Sequence, residues 1–163
     1  MIVTDRDPAS PAIFHVPPKE FPMHAPERAT VFIVEDSVAH QTVLNHLLQN
    51  GGYATEAFDS GEEVLARLAH ERPDVLLTDV NLPGVSGRDV LAWVRAEPRL
   101  ASLKVVLVSV SPANLVTAGT DQPVPDAVLC KPIDKQDLLD TLARLAAPHH
   151  PDARLAELLL LEP

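Results

Sequence analysis

The chain has a single cysteine, Cys130, so an internal disulfide is excluded and a reducing compartment is expected. Basic residues are also scarce. Thirteen Lys and Arg face 23 Asp and Glu, for a formal net charge of −10. That balance argues against a nucleic-acid phosphate binder, which needs a basic face. No apolar run approaches the roughly 18 residues of a membrane span. The opening MIVTDRDPAS lacks the charged-then-apolar layout of a signal peptide. A cytoplasmic protein, bound to neither membrane nor nucleic acid, is the expectation. There is no internal repeat.

Apolar residues are plentiful by contrast. They make up 46 % of 163 residues, enough for one globular domain with a real core. Residues 1–29 hold six of the sixteen prolines, Pro8, Pro11, Pro17, Pro18, Pro22 and Pro26, and read as an extended N-terminal arm. Its Ile13, Phe14, Val16, Phe21 and Met23 leave open a contact with the domain or a partner.

From Thr30 the texture changes. TVFIVED is a short apolar run, hence a strand. SVAHQTVLNHLLQNGG puts Val43, Leu44, Leu47 and Leu48 on one helical face, with Gly51 as the stop. YATEAFD alternates as a strand. SGEEVLARLAHER is a helix with Val64, Leu65 and Leu68 inward, and Ser60 with Glu63 forms a capping box. DVLLTD is a buried strand, GRDVLAWVRAE a helix stopped by Pro98, and KVVLVSV another buried strand. SPANLVTAG reads as a short helix with Ser111 as cap and Pro112 in its first turn. DAVLCK is a last strand, and DKQDLLDTLARLAA a last helix with Leu138, Leu142 and Leu145 in register. Residues 148–163, with Leu155, Leu158, Leu159 and Leu161, form a tail that is a short helix docked on the domain or a homodimer contact.

Five βα units with continuous apolar strands mean a parallel sheet covered on both faces. Right-handed crossovers give a doubly wound α/β sheet, with flavodoxin-like order 2-1-3-4-5. Ligands in such sheets bind at the carboxyl ends of the strands. Strand 1 ends on Glu35 and Asp36, strand 3 on Asp79, strand 4 near Ser109 and strand 5 on Lys131. This order makes the four strands consecutive, so the five side chains share one rim. Strand 2 ends on Phe58 and Asp59 and is expected to stay outside the group.

Three carboxylates in one pocket repel one another. At about 4 Å and an effective dielectric near 20, each pair costs on the order of 4 kcal/mol. A hard divalent ion with oxygen ligands relieves this, so Mg²⁺, or Mn²⁺ in its place, is the expected cofactor. Lys131 adds a compact cation and Ser109 a hydroxyl donor. Together they suit phosphoryl transfer to Asp79, which needs mainly positioning and charge neutralisation.

The set VFIVEDS, VLLTDVNLPGVSG, VVLVSVS and CKPID resembles the receiver domain of bacterial two-component response regulators, over about residues 30–147. The resemblance implies that Asp79 accepts a phosphoryl group from a histidine kinase or a His-phosphotransfer protein. It implies Mg²⁺ ligation by Asp36, Asp79 and the backbone carbonyl of Asn81, with Glu35 acting through water. Ser109 matches the switch hydroxyl, Lys131 the phosphate-binding lysine, and the Lys131–Pro132 bond would be cis. Such a chain is a phosphoacceptor that assists its own phosphotransfer and dephosphorylation, not a conventional enzyme. With only residues 148–163 beyond the domain, output is expected through contact with a downstream protein target.

Three departures touch the last two units. Val128 stands where receivers usually carry a switch aromatic. Val110, branched, follows Ser109 where a small residue is usual and would narrow access to the phosphoryl group. LVTAGTDQPVP, residues 115–125, is poor in helix formers. These motivate an alternative, a receiver-like scaffold without phosphorylation-driven switching. A phosphatase using an aspartyl nucleophile would want an acid two residues past Asp79, where Asn81 stands. Taken singly, Asp79 reads as a turn acid, Cys130 as core filler and Trp93 as helix packing, while an exposed loop lysine is the lesser alternative for Lys131. His40 and His46 do not share a helical face, and PHHP at 148–151 reads as a linker.

Overall fold

A computed structural model describes residues 28–115 and 121–146. The arm, apart from Arg28 and Ala29, and the tail expected at 148–163 lie outside the described residues. Five strands form one parallel sheet in the order β2-β1-β3-β4-β5: β1 Thr30–Val34, β2 Ala54–Phe58, β3 Val75–Asp79, β4 Lys104–Ser109 and β5 Ala127–Cys130. The helices are α1 Val38–Asn50, α2 Gly61–Leu68, α3 Gly87–Ala96 and α4 Lys135–Leu145.

The central strands β1, β3 and β4 carry unbroken apolar runs because both of their faces are covered. All five residues of β3 are buried. Alternate residues then feed two core layers. Phe32, Leu76 and Leu107 pack with α2 and α3 through Val64, Leu68, Val90 and Val94. Ile33, Leu77 and Val106 pack with α1 and α4 through Leu44, Leu48, Leu138 and Leu142. Each fully buried leucine here contributes about 1.5–3 kcal/mol. Among the described residues no helix is long and apolar enough to cross a membrane.

Local signals end the helices largely as expected. The Ser60 hydroxyl accepts the Glu63 N–H at 3.2 Å, but Glu63 Oε2 accepts from the Asp59 N–H and not from Ser60, so only half of that capping box closes. A full box forms instead at α3, where Ser86 and Asp89 bond reciprocally. Their hydrogen bonds hold the Asp89 carboxyl below its ordinary pKa. At the opposite end of the sheet from the strand carboxyl ends, Asp126 Oδ2 accepts the Val105 N–H at 2.7 Å and Arg95 Nη2 at 2.6 Å, fastening the start of β5.

Several expectations need correction. Val43 is 57 % exposed, because the stripe facing the sheet runs through Leu44 and Leu48 with Leu47 at its margin. In the fourth unit the described residues contain a 3-10 turn, Pro112–Asn114, and no α-helix; residues 116–120 lie outside them. Ser111 makes no side-chain cap there. Proline, valine and threonine supply little helix propensity in that stretch. Cys130 is exposed, not core filler, because β5 is an edge strand with one neighbour and the residue sits at its tip.

Candidate functional site

The sheet register assembles the site. Val34 pairs with Thr78, Asp79 with Val108, and Ser109 with Cys130. The residues just beyond β1 and β5 therefore flank the end of β3. Glu35, Asp79 and Ser109 are 3 %, 6 % and 4 % exposed, while Asp36 is exposed. One carboxylate oxygen from each of Glu35, Asp36 and Asp79 lies within 4.8 Å of the others.

Lys131 reaches across this pocket from a cis Lys131–Pro132 bond. Its Nζ donates to Asp79 Oδ2 and, at 3.2 Å, to Glu35 Oε2. Burial works to lower the ammonium's pKa. The hydrogen bonds and charges of Asp79 and Glu35 outweigh it and hold the pKa above the ordinary lysine value. Asp79 Oδ1 accepts the Asn81 N–H at 2.9 Å, which is how the turn after β3 orients the carboxylate. Glu35 Oε1 accepts the Ser37 N–H at 3.1 Å, and His40 Nδ1 stands 3.7 Å from Glu35 Oε2. Ser109 Oγ accepts the Ser111 N–H at 3.1 Å.

The donor set consists of oxygens, three carboxylates stand against one ammonium, and two of the three acids are more than nine-tenths buried. At 4.8 Å each like pair still costs on the order of 3 kcal/mol. These residues fit a hard divalent cation such as Mg²⁺ or Mn²⁺.

Glu35, Asp36, Asp79, Asn81, Ser109 and Lys131 thus lie on one rim, as the strand order requires. Val128 does not join them. It pairs with Leu107 and packs, half-buried, against the α2–α3 core layer. Val110 is 63 % exposed. His46 bonds Asn50, away from His40.

The end of β2 adds no carboxylate to the cluster, as expected, but it braces the backbone of Glu35. The Phe58 carbonyl accepts the Glu35 N–H at 3.1 Å. Gln41 Nε2 contacts the Glu35 carbonyl at 2.6 Å, Asp59 Oδ1 at 2.7 Å and the Phe58 carbonyl at 3.2 Å. Sequence reasoning missed Gln41, since a glutamine on a helix carries no pattern of its own. It also missed Gly87. A Cβ there would lie 2.2 Å from the Asp79 carbonyl oxygen. The glycine in LPGVSG that opens α3 was the available signal. A third device is Glu62 on α2, which accepts the Val85 N–H at 3.0 Å and braces the loop that follows Asp79.

Fold and pocket define a doubly wound α/β domain with an oxygen-rich, lysine-paired pocket at the carboxyl edge of its sheet. The model of the response regulator receiver domain matches residues 31–143, and the chain belongs to that family of two-component signal transduction. It is 29 % identical over 113 residues to the polar-differentiation response regulator DivK of Brucella anthropi, covering 69 % of this chain and 92 % of DivK. It is 30 % identical over 118 residues to the sensory/regulatory protein RpfC of Xanthomonas campestris, covering 71 % of this chain but only 16 % of RpfC. Among solved structures, the chemotaxis response regulator CheY4 of Vibrio cholerae superposes with a TM-score of 0.64 at 29 % identity, over 72 % of this chain and 98 % of CheY4.

Proposed function

We propose that this receiver domain is a phosphorylatable switch whose phosphoacceptor is Asp79. The observation that carries the reading is the acidic pocket with Lys131 bridging Asp79 and Glu35. Asp36, Asp79 and the Asn81 backbone carbonyl would hold Mg²⁺ or Mn²⁺, with Glu35 acting through water. The bound ion would neutralise charge on the transferring phosphoryl group.

Asp79 supplies the nucleophile. One carboxylate oxygen attacks the phosphorus of a phosphohistidine, the P–O bond forms, and the P–N bond breaks with its electron pair leaving on the imidazole. The donor is a histidine kinase or a His-phosphotransfer protein. The Asn81 N–H keeps the carboxylate from rotating during attack. Lys131, already paired with Asp79 Oδ2, then follows the new phosphoryl oxygens. The product carries close to two negative charges and three acceptors where a carboxylate stood. Ser109 offers its hydroxyl proton to that group, biasing a two-state equilibrium read by a downstream protein in the cytoplasm. The chain thereby acts as a phosphoacceptor and not as a conventional enzyme.

A second reading is supported by Val128, which packs against the core and offers no aromatic ring to reorient. In it the domain serves as a scaffold whose partner binding ignores phosphorylation.

Acetyl phosphate with Mg²⁺ tests the first reading by intact mass. The wild type gains one phosphoryl group, whereas Asp79→Asn and chelated samples gain none. An unlabelled wild type, or labelling that survives Asp79→Asn, overturns it. Labelling without any change in partner affinity favours the scaffold.

A further inference from the structure

We propose that Gln41 is a positioning residue for the divalent-cation site, acting through the backbone of the Glu35–Asp36 peptide; this rests on the proposed function above. Its side-chain amide faces three acceptors, two carbonyls and one carboxylate oxygen. Only the NH₂ end of a glutamine can satisfy three acceptors, so the chemistry of the neighbours fixes the orientation of the amide. Two hydrogens serve three partners. The contacts to the Glu35 carbonyl and Asp59 Oδ1, 2.6 and 2.7 Å, take one hydrogen each, and the Phe58 carbonyl at 3.2 Å shares.

The Glu35 carbonyl belongs to the peptide unit that leads into Asp36. Its oxygen is tied by Gln41 to the end of β2, and the Glu35 N–H is tied to the Phe58 carbonyl of the same strand end. The acidic loop is therefore clasped on both sides of Glu35 to a strand that contributes no carboxylate to the cluster. Glu35 is also held at its side chain by Lys131 and the Ser37 N–H. Among the described residues Asp36 finds no such side-chain anchor, and it is exposed, so its backbone sets its distance from Asp79. Without the clasp, the oxygens of Asp36 sample a wider range of separations from Asp79, and binding a cation must first gather them.

The test uses the full chain and reads binding directly, by calorimetric titration with MgCl₂ and by water-proton relaxation with Mn²⁺. Gln41→Met keeps length and neutrality and removes the donors. Gln41→Asn keeps the donors but shortens their reach by one methylene. Both should raise the dissociation constant for either ion, Gln41→Met by about 10-fold and Gln41→Asn by less. In acetyl phosphate labelling, the half-saturating Mg²⁺ concentration should rise by the same factor, while the rate at saturating Mg²⁺ stays close to that of the wild type. A general loss of fold would lower that plateau as well, and thermal unfolding checks each variant. Wild-type affinity in both variants overturns the role of Gln41 and leaves the switch reading standing. A wild type that binds neither ion overturns both.

Discussion

Gly87→Ala sets two physical effects of opposite sign against each other at the first residue of α3. In an ordinary helix interior the substitution gains about 1 kcal/mol, since alanine has the better helix propensity. Here the new Cβ would meet the Asp79 carbonyl oxygen at 2.2 Å, its carbonyl carbon at 2.9 Å and the Val80 Cα at 2.9 Å. Carbon–oxygen contacts become comfortable only near ~3.3 Å. The helix start must therefore back away by about 1 Å, and no rotamer can absorb the clash because the obstacle is backbone. The Gly87 N–H also bonds the Val80 carbonyl at 3.0 Å and would be stretched by that retreat. Overpacking of this kind costs about 1–3 kcal/mol. With the obstacle rigid we take the upper end, which leaves a net loss of about 2 kcal/mol after the propensity gain. Urea unfolding followed by circular dichroism reads this directly. At a slope of roughly 1–3 kcal/mol per molar, the midpoint falls by about 1 M with the slope unchanged. A midpoint equal to or above the wild type's would show that α3 does not ride on the Asp79 backbone as described.

Three further outcomes follow from the α3 cap and the charged groups. Ser86→Ala removes half of the α3 capping box and should cost about 1 kcal/mol. Because Asp89 has a lowered folded-state pKa, its contribution is present above the ordinary Asp value and fades as pH falls through the folded one. The stability gap between wild type and Asp89→Ala should therefore close on acidification, and a gap that persists at the lowest pH would contradict the bond. Lys131 behaves oppositely. Its folded-state pKa is raised, so its stabilisation is whole below the ordinary lysine value of 10.5 and disappears as pH rises through the folded one. Chemical denaturation of wild type and Lys131→Met should give midpoints that converge above that value; a constant separation would mean the ammonium is not what holds Asp79 and Glu35 together.

The sheet was legible because burial on both faces writes itself as unbroken apolar runs, such as VVLV in β4 and VLL in β3. The rim was legible for a different reason. Strand order alone places Asp36, Asp79, Ser109 and Lys131 side by side, whatever lies between them in the chain. The misses share a cause as well. Gln41, Gly87 and Glu62 act on backbone groups of other elements, and no periodicity marks a residue whose partner is a distant carbonyl or N–H. Edge position is likewise invisible in composition. VLC in β5 looks like VLL in β3, yet one strand has a single neighbour and the other has two, so Cys130 stands exposed. Ser60 and Glu63 show how a correct motif lands imperfectly, with the acid bonding one residue earlier than the capping box requires.

That exposed thiol has a practical consequence. Cys130 is the chain's single cysteine and the immediate neighbour of Lys131, so a maleimide dye or nitroxide attaches at one defined point without any engineering. A reporter there rides on the tip of the edge strand, one residue before the lysine whose ammonium spans Glu35 and Asp79. Rearrangement of that contact would register as a change in emission or line shape in an otherwise unmodified protein.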